Sequence, residues 1–332
     1  MRFKNIFPSS RAALFGPVLL LLPWLVSGRE ALNGNSWSLA SPNGLWRITV
    51  VLDDEQRLSY QVWRQDKVAL AKSPLGLKTD NQDFARGLTL ESMGKIESRR
   101  EKYQLMAGGV PHVNQPLNRR TLRFSNTNQA VFEIELASSN EGVAFRYRLP
   151  GTLPGVRVAN AELTGFQLPL NALAWLQPYH AAGPYTPAYE DFYFKVSPGE
   201  PPPLSRGPKS VGWSFPALFH LPDAATWVLL TESGTDESYC GCHLLPDSPG
   251  GLYRIGFSLV DEGTRGHRNR VGPEPRHELP WTMPWRVIVL GRSAGDIAMA
   301  TLVTDLAPPS RINDVSWIKP GQSAWAKNWW RR

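Results

Sequence analysis

The sequence predicts an all-β architecture of stacked antiparallel sheets with one short helix near the C-terminus. Three observations lead there. Runs of β-branched and aromatic residues alternate with polar ones, Gly/Pro/Asn/Ser clusters separate them, and a single stretch carries a helical period. The chain has 332 residues, 42% hydrophobic and 11% aromatic, enough for a sizeable core and too apolar for a disordered chain. No stretch beyond the N-terminus is apolar enough to span a bilayer, which excludes a polytopic helical membrane protein.

The elements follow in order. Arg2, Lys4 and Arg11 precede an apolar run from Ala12 to Val26, and no acidic residue occurs before Glu30. Val26-Ser27-Gly28 supplies small residues for cleavage, so residues 1–28 read as a secretory signal peptide, giving a secreted or periplasmic chain with no membrane contact once mature. Subtracting its three positive charges takes the formal net charge from +7 to about +4. Arg99-Arg100 and Arg119-Arg120 are isolated pairs, so nucleic acid is not an expected partner.

A single β domain is expected over residues 36–308. Trp46 to Leu52 and Leu58 to Trp63 read as two strands around an Asp53-Asp54 turn. Further strands are expected at 121–124, 130–136, 143–149, 156–163, 226–231, 253–259 and 285–290. Ser293, followed three residues on by Asp296, has the spacing of a capping box. Met299, Leu302, Val303 and Leu306 form one apolar stripe, and Pro308-Pro309 ends it. Residues 309–332 carry Trp317, Trp325, Trp329 and Trp330 without a strand period and read as a linker.

Catalytic signatures are sparse. Six His are scattered without a zinc-protease pattern, and neither a nucleophile elbow nor a phosphate-binding loop occurs. Cys240-Gly241-Cys242 is one residue short of a redox CxxC, so two partly buried thiols are expected. Glu162 reads as a paired or exposed charge. Two aromatic segments draw attention: Tyr185 to Tyr193, which contains Glu190-Asp191, and Trp213-Ser214-Phe215. Aromatic faces can cover sugar C–H surfaces and a carboxylate can bind hydroxyls or a hard cation, although ordinary core packing explains aromatics equally well.

Taken in order, several motifs resemble the N-terminal domain of glycoside hydrolase family 97, the bacterial α-glucosidase and α-galactosidase family. They are Trp37 to Gly44, Leu58-Ser59-Tyr60, Ser73-Pro74-Leu75-Gly76-Leu77, Glu141-Gly142-Val143-Ala144-Phe145-Arg146-Tyr147, Glu162 to Phe166, Tyr189-Glu190 to Tyr193, and Trp317-Ile318-Lys319-Pro320-Gly321. The resemblance implies a β-super-sandwich similar to the sheets of sugar mutarotases, packed in the family against a (β/α)8 barrel. That barrel carries the catalytic carboxylates and most ligands of a calcium ion, and the sandwich lends one glutamate, matched here by Glu190. Tyr185, Tyr189 and Trp213 are the candidate carbohydrate-binding residues.

Eleven residues follow Gly321, whereas a barrel needs roughly 200 or more. The chain is therefore expected to hold no catalytic residue, and calcium only together with a partner barrel. Three functions follow: an exported carbohydrate-binding or accessory β domain, silent alone; the N-terminal part of a split or truncated calcium-dependent α-glycosidase; or a mutarotase-type enzyme using His180 with Glu190, or His243 with Glu232.

Overall fold

The alternation that opens the domain becomes a four-strand meander: β1 (Ser36–Ala40), β2 (Trp46–Leu52), β3 (Leu58–Arg64) and β4 (Lys67–Pro74). Trp46, Ile48 and Val50 point inward from β2, as period-two alternation requires. The computed structural model describes residues 35–180, 191–203, 210–258, 274–312 and 314–322, which lie in one compact unit. The expected signal peptide and its cleavage point lie outside the described residues.

The chain continues through β5 (Leu77–Thr79), β6 (Thr89–Met93), β7 (Glu97–Gln104), β8 (His112–Ser125), β9 (Val131–Ser139) and β10 (Gly142–Leu149). Shorter strands follow: β11 (Arg157–Glu162), β12 (Gly165–Gln167), β13 (Leu173–Leu176), β14 (Pro178–His180), β15 (Phe194–Val196) and β16 (Ser210–Trp213). Next come β17 (Ala217–Leu221), β18 (Thr226–Ser233), β19 (His243–Leu244), β20 (Leu252–Gly256), β21 (Arg276–His277), β22 (Trp281–Thr282) and β23 (Trp285–Gly291). Each strand expected from the sequence is present, and most of the shorter ones were not foreseen.

Two large antiparallel sheets hold most of these strands. A nine-stranded sheet runs β1-β2-β3-β4-β12-β20-β19-β16-β14. An eleven-stranded sheet runs β15-β13-β17-β18-β23-β10-β9-β8-β6, with β22 added on β10 and β7 on β8. A small sheet, β21-β11-β5, completes the set. The main core lies between the large sheets, where Tyr60 of β3 meets Phe145 of β10 with ring centroids 4.9 Å apart. The fold is the all-β sandwich expected from the sequence.

The helical segment is split in two. Ser293 and Asp296 make the full capping box of α1 (Ala294–Met299), and the chain turns at Ala300 before α2 (Leu302–Leu306). Leu302 and Leu306 cover the outer face of the eleven-stranded sheet together with Trp285, Val287 and Val289. β23 is therefore buried on both faces, which is why Trp285 to Leu290 reads as a continuous apolar run. Met299, counted in the same stripe, is 47% exposed because the break rotates it away.

Candidate functional site

Several motifs in the sequence converge on one buried tyrosine. The Tyr147 hydroxyl accepts the Gly76 N–H at 3.1 Å and shares a 2.7 Å hydrogen bond with Thr164. Gly76 has φ +150°, and a Cβ there would lie 3.2 Å from the Phe84 carbonyl oxygen. The Tyr60 hydroxyl donates to the Gly165 carbonyl at 2.9 Å. Two short motifs, at residues 73–77 and 162–166, thus hydrogen-bond Tyr147 of the 141–147 motif, and the 58–60 motif in turn hydrogen-bonds the 162–166 motif. Burial pushes the Tyr147 phenol well above its ordinary value, so it stays a neutral hydrogen-bonding group.

A buried charge cluster lies beside this network. Arg286 is 1% exposed; its Nε donates to Glu162 Oε1 at 2.8 Å and its Nη2 to Glu162 Oε2, a two-point grip. Its Nη1 donates to Glu232 Oε2 at 2.6 Å. Tyr239 adds a 2.6 Å hydrogen bond to Glu162, and the Cys242 N–H donates to Glu232 Oε1 at 3.0 Å. One guanidinium thus serves two carboxylates. Burial opposes ionisation of both, but attraction to Arg286 wins at Glu162 and holds it below the usual carboxylate range. At Glu232 burial wins and the carboxyl titrates above that range.

Cys240 and Cys242 flank this cluster in non-strand backbone. Both are free, Cys240 half-buried and Cys242 buried. The Arg286 Nη2 lies 3.4 Å from Cys242 Sγ. A hydrogen bond between the thiols brings Cys240 down to about 7 and pushes Cys242 up, with burial adding to the rise at Cys242.

Of the residues singled out for binding, Trp213 lies one strand in from the far edge of the nine-stranded sheet. Tyr185, Tyr189 and Glu190 lie outside the described residues. Trp213 is fully buried on β16, paired to Pro178 of β14 and Leu244 of β19, so its ring packs in the core with no face open to a sugar. His180, which ends β14, meets Asp191 with Nε2 and Oδ2 2.6 Å apart. His243 stacks on Tyr179 at 4.0 Å, while Glu232 is engaged by Arg286 and the Cys242 N–H; the His243–Glu232 acid–base pair is not assembled.

Arg286 escaped sequence reasoning, as did the pairing of Asp191 with His180. Arg286 had a visible signal, a lone charge in the apolar run Trp285 to Leu290, which folding tolerates only with buried counter-charges. The pairing had none. Among the described residues no group of three or more His, Cys, Asp or Glu stands together as a metal site. Calcium asks for roughly six to eight oxygens, so the described residues alone do not fit that ion.

Two large antiparallel sheets packed around one core define a β-sandwich class. Comparison with known proteins makes this specific: residues 39–309 match the family described as Glycosyl-hydrolase 97 N-terminal, and the chain belongs to that family. It is 30% identical over 325 residues to a probable retaining alpha-galactosidase of Streptomyces bingchenggensis, covering 97% of this chain and 46% of the relative. It is 27% identical to the retaining alpha-galactosidase of Bacteroides thetaiotaomicron, covering 89% of this chain and 44% of the relative. The chain therefore spans about half the length of these relatives. Among solved structures, a beta-arabinopyranosidase aligns at 28% identity and a TM-score of 0.69, over 77% of this chain and 40% of its own. A glycoside hydrolase family 97 enzyme from Pseudoalteromonas, solved with panose, shares the fold at 20% identity and a TM-score of 0.70, over 86% of this chain and 40% of its own.

Proposed function

We propose that this chain is an exported accessory β domain of a family 97 α-glycosidase, carbohydrate-associated and silent toward glycosides by itself. One observation carries the reading: Glu162, which is buried, and Glu232, which is half-buried, are both bound by the buried Arg286. A retaining glycosidase needs two carboxyl groups about 5–5.5 Å apart that face an open sugar site, one as nucleophile and one as acid. A guanidinium wedged between two carboxylates serves the opposite purpose, holding charge where no substrate reaches.

The second reading, the N-terminal part of a split or truncated calcium-dependent α-glycosidase, is favoured by coverage of 46% and 44% of the two galactosidases. Glu190 would then join an ion whose other ligands come from a partner (β/α)8 barrel, and Tyr185 and Tyr189 would lie beside the sugar. One experiment tests both. The purified chain is assayed on aryl α-galactosides and α-glucosides alone, then with the C-terminal half of the Streptomyces bingchenggensis relative supplied separately. Background rates alone and turnover on mixing support the split enzyme, background rates throughout support the accessory domain, and turnover by the chain alone overturns both. Export is tested by N-terminal sequencing of the mature chain, expected to begin at Arg29.

A further inference from the structure

Residues of β3, β4 and β20 line a cleft of about 590 Å³. Its floor comes from β3, β4 and β20, and the loop at 83–86 forms one wall. The floor can lie flat because Gly165 has no side chain; a Cβ there would meet Leu252 and Pro74 at 2.8–2.9 Å. The volume falls in the range of small-molecule sites, and Leu58, Leu75, Leu163 and Leu252 give it an apolar base.

The charge around that base is one-sided. Arg57, Lys72, Lys78, Arg86 and Arg254 line the cleft against two carboxylates, Asp53 and Asp83, a net of +3. Asp53 is already spent on Arg57 at 3.0 Å, and Asp83 on Lys78 at 3.5 Å. The Arg86 and Arg254 side chains make no hydrogen bond or ion pair with any described residue. Ser59 on the floor is 5% exposed, and its buried hydroxyl has no hydrogen-bond partner among the described residues. Unspent cations around an apolar base are what a ring with a charged substituent would complement.

We infer that this cleft binds an anionic saccharide, a sugar bearing a carboxylate or a sulfate ester, with Arg86 and Arg254 as the anion-holding residues. The anion half of the inference rests on the cleft, and the sugar half on membership of a carbohydrate-active family. It is independent of whether the chain hydrolyses anything, and it uses residues apart from Tyr185, Tyr189 and Trp213.

Titration calorimetry on the full chain at low salt tests it, with trigalacturonic acid and a sulfated disaccharide run in parallel. Neutral maltotriose and inorganic sulfate are the controls. At least one charged saccharide should bind at a single site, at least tenfold more tightly than either control, and weaken as salt is raised. Arg86→Ala and Arg254→Ala should each cost tenfold or more while leaving the melting temperature unchanged, and Lys319→Ala should change nothing. If trigalacturonic acid binds and the sulfated disaccharide does not, the charged group is a carboxylate, and the reverse assigns a sulfate. The inference is overturned if neither charged saccharide binds, if maltotriose binds as well, if sulfate alone accounts for the affinity, or if the double arginine variant retains it.

Discussion

Arg286 sets the terms at the residue scale, since its guanidinium is all that keeps Glu162 and Glu232 from facing each other uncompensated in the core. Arg286→Met should cost about 3–5 kcal/mol, read as a lowered urea midpoint, because breaking a buried pair strands its partner charges. Replacing all three residues with apolar side chains should recover most of that loss; if Arg286→Met alone is neutral, the cluster is not buried in solution. The neighbouring thiols differ in the same environment. Cys240, half-buried and near 7, should be alkylated by iodoacetamide with a midpoint about pH 7. Cys242, buried and raised, should label only on denaturation. Equal labelling rates in the folded chain would contradict this.

At the scale of elements, the C-terminal helices hang on a carboxylate from the opposite end of a strand. Glu141, just ahead of β10, accepts the N–H groups of Thr301 at 2.6 Å and Leu302 at 3.0 Å, thereby capping α2 from 160 residues away. Glu141→Ala should cost about 1–2 kcal/mol and speed amide exchange across 301–306 before it affects the sheets. Asp305, in the same helix, is raised to about 6, chiefly by burial, despite hydrogen bonds from Tyr103 and Thr301. The folded state therefore keeps its proton up to about pH 6 while the unfolded chain releases it near 3.8. Asp305 thus favours folding at low pH, and that contribution is lost as pH rises between about 4 and 6. Asp305→Asn should flatten the stability curve in that window, and an unchanged slope would refute the assignment. What the sequence disclosed follows the same logic. Trp46 to Leu52 was legible because one face is buried, and the Ser293–Asp296 box because capping is local. β7, Glu97–Gln104, was not, because nearly every side chain on it is exposed and only its partner β8 makes it a strand. The break before α2 was hidden because its cause, Glu141, is remote in sequence.

For the whole molecule, the motifs that mark the family prove to be joints of the sandwich. Gly142, within the Gly-Val-Ala-Phe-Arg-Tyr run, has φ +145°, and a Cβ there would sit 2.2 Å from the Ile288 carbonyl oxygen. β10 and β23 pack so closely at this point that only glycine fits there. The Glu190 segment lies outside the described residues, so its reading as a ligand rests on the resemblance alone. The final segment differs from the joints. Trp317 is 69% exposed, touching the chain through an indole N–H to the Asp314 carbonyl at 3.0 Å, with Ile312 and Val315 also open to solvent. An aromatic with so little buried area contributes little to folding, so Trp317→Ala should leave the stability of this chain within about 0.5 kcal/mol. If the segment is a doorway to a barrel, the same substitution should weaken association with the C-terminal half of the Streptomyces bingchenggensis relative by tenfold or more. Fluorescence separates the two states, with Trp317 quenched by acrylamide in the isolated chain and shielded on mixing. A melting temperature several degrees lower in the unpartnered variant would mean that Trp317 belongs to the sandwich itself, and the doorway reading would fall.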